Sequence, residues 1–182
     1  TISIANGDTY TRLTSVILAL SATDASTISH MCISNTDSCK SWVAYATTKK
    51  WTLVSGVQTK TVRVWFRDIW GNVSSSAASD SIEMDVTVPT QGMLDAQAGT
   101  RQVSFTWADF ADAQSGIASY RLVFALGAVP ATCLKGTPLA VTTSGTFVHT
   151  GLYAGKTYGY RLCAIDRVGN MSIGVAATVL VQ

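Results

Sequence analysis

The chain contains the sequence RDIWGNVSS at residues 67–75 and the sequence IDRVGNMSI at residues 165–173. Both stretches carry the phrase Asp-x-x-Gly-Asn-x-Ser, which begins at Asp68 in the first copy and at Asp166 in the second. In each copy, a segment that alternates apolar and polar residues comes before the phrase, as is typical of a β-strand. The phrase therefore predicts the same loop between two strands at two places in the chain.

A second pair of segments matches in the same order along the chain. SATDASTISHM at residues 21–31 corresponds to ADAQSGIASY at residues 111–120, with Asp24 against Asp112. A single repeated turn could arise by chance, but two ordered matches indicate a duplicated domain.

The segments between these matches are short, and Gly, Asn, Asp or Ser separates them, which is typical of strands joined by tight turns. Sustained 3.6-residue periodicity does not occur, so we expect no crossover helices. The sequence predicts an all-β chain of two tandem antiparallel β-sandwiches, one at residues 1–88 and one at residues 89–182. Pro89 has no N–H to donate to a strand ladder and marks the boundary.

Composition excludes several classes of function. The formal net charge is only +2 and 13% of residues are charged, unlike the dense basic surface of a nucleic-acid-binding protein. The longest apolar runs, at residues 16–20 and 177–181, are far shorter than the roughly 20 residues that cross a bilayer. Because the chain starts at Thr1 without an initiator Met or a signal stretch, we expect a mature chain or a piece of a larger protein.

The four cysteines form two local sets, with Cys32 near Cys39 in the first half and Cys133 and Cys163 in the second. An even pair in each half predicts one disulfide per domain and an oxidising, extracellular environment. The Cys32–Cys39 bridge would staple a hairpin, with Cys39 at the start of the returning strand. A zinc site is the weaker interpretation, because the Cys and His residues are not clustered at ligand spacing.

The repeated phrase has a structural interpretation and a metal-binding one. An Asp can accept hydrogen bonds from backbone amides just ahead of it, and Gly and Asn tolerate positive φ, so the trio can close a loop unaided. We expect this loop closure at two sets of residues: Asp68, Gly71 and Asn72, and Asp166, Gly169 and Asn170. A calcium site is the alternative, if Asp24 met Asp68 or Asp112 met Asp166, although calcium takes about 6–8 oxygen ligands. We expect no cofactor and no bound metal.

The phrase also contains the N-glycosylation patterns NVS at residues 72–74 and NMS at residues 170–172. We give them little weight, because the turn already uses both asparagines.

Strand alternation suggests a binding surface in the first half. If Val62, Val64 and Phe66 face inward, Arg63, Trp65 and Arg67 face outward, where a Trp flanked by Arg could stack on a sugar or anchor a partner protein. Covering the disulfide is the simpler role for Trp65. Trp70, in the loop itself, is the more exposed candidate, whereas the i+2 spacing of Trp51 and Leu53 predicts that Trp51 belongs to the core.

No residues suggest an enzyme. His30 and His149 are isolated from each other, and we expect His149 to be a packed structural residue. The sequence contains neither a nucleophile elbow nor a Gly-rich phosphate loop.

Residues 90–182 resemble a fibronectin type III domain of the bacterial extracellular kind. The resemblance is carried by Trp107 on the second strand, by SGIASYRLVF at residues 115–124 and by TGLYAGKTYGYRLCAIDRVGN at residues 150–170. It implies that Trp107 lies in the core. It also implies that Tyr158 is a tyrosine-corner residue, whose hydroxyl bonds nearby backbone.

The first half is similar to the bacterial Ig-like modules found beside such domains. It departs from the fibronectin pattern, because Val16, Leu18 and Leu20 stand where a Trp would be expected and Lys60 occupies the Tyr158 position. Both resemblances imply non-catalytic spacer or adhesion modules of a larger secreted or surface-attached bacterial protein. The alternative is an accessory module of a secreted hydrolase that binds a carbohydrate or a protein. The partner, whether protein or glycan, is not identified by the sequence.

Overall fold

A computed structural model describes all 182 residues, which form two compact units, Thr1–Val86 and Thr87–Gln182. The division lies after Val86, two residues before the position expected from the sequence. Both units are built from strands in mainly antiparallel sheets, which confirms the all-β class. None of the helical segments has the length and hydrophobicity needed to cross a membrane.

The first unit contains eight strands. They are β1 (Ile2–Ile4), β2 (Tyr10–Thr11), β3 (Ser15–Leu20), β4 (Ile28–Ser34), β5 (Val43–Ala44), β6 (Thr48–Thr52), β7 (Thr59–Asp68) and β8 (Ala78–Met84). One sheet has the order β1-β3-β6 and the other the order β2-β8-β7-β4-β5.

A short 3-10 turn at Ala5–Gly7 moves the chain from one sheet of the first unit to the other. Asn6 and Gly7 have φ values of 59° and 88°, a left-handed backbone that Asn and Gly tolerate best. After the turn, β2 pairs parallel with β8, while β1 pairs antiparallel with β3.

Two alternating strands build the core of the first unit. Val16, Leu18 and Leu20 of β3 are buried while the residues between them are exposed, as the alternation predicts. From the facing sheet, Val62 and Val64 of β7 are fully buried against them. Burial of these side chains supplies the main hydrophobic stabilisation of the unit.

The second unit contains seven strands. They are β9 (Met93–Gly99), β10 (Gln102–Ala108), β11 (Ile117–Leu126), β12 (Thr137–Thr142), β13 (Thr146–Thr150), β14 (Thr157–Asp166) and β15 (Val175–Leu180). Its sheets have the orders β13-β10-β9 and β12-β11-β14-β15. Its first strand, β9, is hydrogen-bonded only to β10, so the second unit lacks a counterpart of the parallel β2–β8 pair.

Aromatic side chains fill the core of the second unit. Trp107 is buried and packs edge-on against Tyr120, and Phe105 packs against the fully buried Tyr160. The Tyr158 hydroxyl accepts a hydrogen bond from the backbone N–H of Tyr153 at 3.2 Å. This bond ties the loop before β14 to the core.

His149 packs into this aromatic group from β13. Its ring lies edge-on to Phe124, and its Nδ1 is 3.1 Å from the Tyr160 hydroxyl. Burial lowers the pKa of His149 below its ordinary value of 6.5.

Candidate functional site

The first copy of the repeated phrase closes on the carboxylate of Asp68. Its Oδ1 accepts the backbone N–H groups of Trp70 at 2.9 Å and Asn72 at 2.8 Å. Its Oδ2 accepts the Asn72 side-chain amide at 2.9 Å and the Ser26 hydroxyl at 2.7 Å. Hydrogen bonds from the side chains of Asn72 and Ser26 lower the pKa of Asp68 from 3.8 to about 2.

The second copy closes in the same way. Asp166 Oδ1 accepts the N–H groups of Val168 at 3.0 Å and Asn170 at 2.8 Å, and Oδ2 accepts the Asn170 side-chain amide at 2.7 Å. Gly71 and Gly169 both have φ near 90°, where a side chain would be strained.

The serine that ends the phrase also belongs to the closure. The Ser74 hydroxyl accepts the Phe66 N–H, and the Ser172 hydroxyl accepts the Ala164 N–H. Every repeated position of the phrase therefore has a role inside the loop, without a ligand.

Paired aspartates meet at the same end of each sandwich. In the first unit the Ser26 hydroxyl lies 3.1 Å from Asp24 and 2.7 Å from Asp68. In the second unit the carboxylates of Asp112 and Asp166 lie within 4.8 Å of each other. Asp112 Oδ1 already accepts three backbone N–H groups, from residues 114, 115 and 116. Both oxygens of Asp68 and of Asp166 and the Oδ1 of Asp112 are thus already hydrogen-bonded to donors of the protein.

The two candidate arginines of the first unit hold a loop of their own unit. Arg63 Nε lies 2.7 Å from the carboxylate of Asp37, and the Arg67 guanidinium carbon lies 4.6 Å from the centre of the Trp42 ring. Asp37 and Trp42 both belong to residues 35–42, which connect β4 to β5. This segment is named the first crossing loop below.

The Cys32–Cys39 disulfide fastens the same loop. The expectation that Cys39 begins a returning strand is wrong, because Cys39 lies in the first crossing loop and β5 contains only Val43 and Ala44. The disulfide and the Arg63–Asp37 ion pair both contact the chain along this irregular path.

The tryptophans of the first unit occupy three different environments. Trp65 is half-buried and lies directly opposite Cys32 in the β4–β7 register, beside the disulfide. Trp51 is half-buried at the margin of the core, where its indole N–H donates to the Asn35 side chain at 2.8 Å. Trp70 is 78% exposed, and its loop neighbour Ile69 is 56% exposed.

In the second unit, residues 127–136 form a second crossing loop over the outer face of the β12-β11-β14-β15 sheet. Three alternate residues of β14 hold it. A Cβ on Gly159 would lie 2.2 Å from the Ala128 carbonyl oxygen, Arg161 Nε donates to the Pro130 carbonyl at 2.7 Å, and Cys163 forms the disulfide with Cys133. The disulfide is predicted from the sequence, but the loop is not, because its signal is only the pattern Gly-x-Arg-x-Cys on a strand.

An open pocket of about 570 Å³ lies at the end of the first unit that contains Asp24 and Asp68. Its walls come from the β3–β4 connection and from the β7–β8 connection, with Phe66 and Ile28 among its apolar residues. The sequence does not indicate the pocket, because its two walls come from residues 21–28 and 66–78, which only the fold brings together.

No family model matches the sequence, and no curated protein matches it. Solved structures do match. The fibronectin(III)-like modules of CbhA from Clostridium thermocellum match with a TM-score of 0.54 and 13% identity, over 100% of this chain and 94% of theirs. Domains A168–A170 of titin match with a TM-score of 0.59 and 14% identity, over 96% of this chain and 61% of theirs. At these identities the likeness shows the fold alone, and it confirms the predicted tandem of Ig-like and fibronectin type III-like β-sandwiches.

Proposed function

We propose that the chain is a non-catalytic pair of domains, at residues 1–88 and 89–182, that acts as a spacer in a larger secreted or surface-attached bacterial protein. One observation carries the proposal: each unit fastens its crossing loop with a disulfide and with an arginine five residues before the repeated Asp. Arg63 contacts Asp37 in the first unit, and Arg161 contacts the Pro130 carbonyl in the second. These side chains hold the shape of the module, as a spacer requires.

The cysteines support an extracellular location. Both pairs are oxidised and no free cysteine remains, which suits an oxidising compartment. The matches to solved structures show only the fold, so the extracellular location is part of the proposal.

Pulling single molecules by their two ends tests the proposed spacer. A spacer of two domains should extend in two separate unfolding steps. Reduction should lengthen the second-unit step by about 11 nm, because the disulfide hides 30 residues of about 3.6 Å each. The first-unit step should lengthen by only about 2.5 nm, for 7 residues.

Cysteine-to-serine variants of each pair serve as matched controls, since each should reproduce one of the two length changes without reductant. Extension without discrete steps would contradict a load-bearing spacer, and a single step for the whole chain would contradict two domains.

A second candidate function is an accessory or adhesion module that binds a glycan or a protein. It is favoured by Trp70, whose side chain is 78% exposed. Trp70 lies on a loop whose backbone is held by hydrogen bonds to Asp68. A large exposed aromatic on a rigid loop loses little conformational entropy on binding, and Trp is enriched at interaction hot spots.

A further inference from the structure

We infer that the pocket at the Asp24–Asp68 end of the first unit binds a neutral sugar. This inference rests on the second candidate function and deepens it, because it names the class of ligand. It is independent of the proposed spacer function, which the pulling experiment tests separately.

The polar groups of the pocket suit a ligand with many hydroxyls. Five hydroxyl side chains line it, together with the Asn72 amide and two carboxylates: Thr1, Ser21, Thr23, Ser74, Ser76, Asp24 and Asp68. Hydroxyls both donate and accept hydrogen bonds, as the hydroxyls of a sugar do. A volume of about 570 Å³ is within the usual range for small-molecule sites and has room for a short oligosaccharide.

The charges of the pocket select against acidic ligands. No Lys, Arg or His side chain lines it, whereas the carboxylates of Asp24 and Asp68 do. The cationic group there is the α-ammonium of Thr1, which already donates to the Ser21 carbonyl. A phosphate, sulfate or uronic acid group would therefore meet the repulsion of two carboxylates without a cationic side chain to compensate for it.

The two carboxylates differ in how many hydrogen bonds they can still accept from a ligand. Asp68 accepts four hydrogen bonds from its own unit, so its acceptor sites are occupied. Asp24 is exposed, and its Oδ1 accepts the Ala25 N–H. Its Oδ2 lies 3.1 Å from the Ser26 hydroxyl, whose single proton is donated to the nearer Asp68 at 2.7 Å. Each Asp24 oxygen can accept one more, which suits the hydroxyls of a sugar and falls far short of the oxygens that a calcium ion needs.

Apolar residues supply the other half of sugar recognition. Ile28, which is half-buried, lines the pocket beside its hydroxyls and can contact the C–H face of a sugar ring, while Phe66 lines the same pocket with 8% of its surface exposed. Asn72 and Val73 continue this wall into the loop that carries the exposed Trp70. Because Asp68 holds this loop in one conformation, the ligand would not have to order it.

Chemical-shift mapping of the isotope-labelled, full 182-residue chain tests the inference. The probes are hexasaccharides of β-1,4-linked glucose, xylose, mannose and N-acetylglucosamine, with hexagalacturonate as the acidic comparison. We expect at least one neutral probe to shift the amide signals of Thr23, Asn72 and Ser76, and hexagalacturonate to bind at least tenfold more weakly.

Two variants act on the pocket in different ways. Asp24→Ala removes the available acceptor, and Ala77→Trp adds bulk at a residue of the pocket wall. Asp24→Ala should weaken binding about tenfold or more, given the usual strength of a hydrogen bond to a charged group. Ala77→Trp should weaken binding because its side chain occupies space that the ligand needs. Tyr153→Ala is the matched control, because Tyr153 is an aromatic of the second unit with 69% exposure, and its loss should leave binding unchanged.

The thermal midpoint of each variant must stay within a few degrees of the parent chain, so that lost binding reports on the pocket. The inference is overturned if no neutral probe shifts the pocket amides, if hexagalacturonate binds equally well, or if folded Asp24→Ala and Ala77→Trp both bind normally.

Discussion

In both units the loop formed by the repeated Asp-x-x-Gly-Asn-x-Ser phrase, named the corner loop below, is closed by the same hydrogen bonds. The crossing loops of the two units are fastened differently. In the first unit the disulfide joins the loop to β4, and the two cysteines have a sequence separation of 7. In the second unit it reaches across the sheet to β14, with a separation of 30. Arg63 and Arg161, at matching positions, hold the loop in both cases. The arginine contact and the corner loop are thus common to the two units, whereas the position of the disulfide differs.

The disulfides should give the largest difference between the units. By loop length, replacing Cys133 and Cys163 with alanine should cost about 3.5 kcal/mol, and replacing Cys32 and Cys39 about 2.5 kcal/mol. Urea unfolding of the two double variants, followed by amide signals from each unit, measures both costs. An equal loss in the two units would show that loop length does not set the difference.

The corner loops should respond alike to removal of their aspartates. Asp166→Ala leaves the N–H groups of Val168 and Asn170 without their acceptor inside the unit and should destabilise the second unit by about 2–3 kcal/mol. Asp68→Ala should destabilise the first unit in the same direction. Unfolding midpoints in urea provide the measurement, and a neutral effect in either unit would contradict the shared closure.

The units should lose stability in different ranges of pH. Since burial lowers the pKa of His149, the unfolded second unit takes up a proton more readily than the folded one. Its stability should therefore fall as the pH drops below about 6.5. Asp68 has a pKa of about 2 in the folded first unit against 3.8, so its contribution is present above pH 4 and is lost between about 4 and 2.

Unfolding at a series of pH values separates the two effects. His149→Gln should remove the loss near pH 6.5 and leave the acid transition of the first unit intact. Asp68→Asn should flatten only the transition below pH 4. If His149→Gln leaves the pH profile of the second unit unchanged, its burial does not govern that range.

The smallest effect on stability should come from the residue that distinguishes the two corner loops. Trp70 is mostly exposed where the second corner carries Val168, so Trp70→Val should change the free energy of unfolding by less than about 0.5 kcal/mol. Trp107→Val, in the core of the second unit, is the buried counterpart and should cost several times more. A large loss at Trp70 would assign that side chain a structural role.

Short sequence patterns predicted the features of the fold that depend on residues close together in the chain. The alternation of Val16, Leu18 and Leu20 marks a buried strand face, and the spacing of Asp, Gly and Asn marks a loop that closes on itself. Both features depend on residues a few positions apart, so a single sequence suffices to find them.

The candidate site was harder to predict because it depends on which distant residues meet. Alternation predicts that Arg63 and Arg67 face outward, but it does not indicate that Asp37 and Trp42 contact them. The pocket likewise joins segments far apart in the chain. Pairing of this kind follows from the topology of the sandwich, which strand patterns alone do not specify.

The two faces of strand β14 have different structural roles. Tyr158, Tyr160 and Leu162 are buried in the core, while Gly159, Arg161 and Cys163 receive the crossing loop. A one-residue insertion or deletion would exchange the faces and destroy packing and fastening together. Evolution of this module should therefore admit length changes within the crossing loop, between Gly127 and Cys133, and reject them in β14.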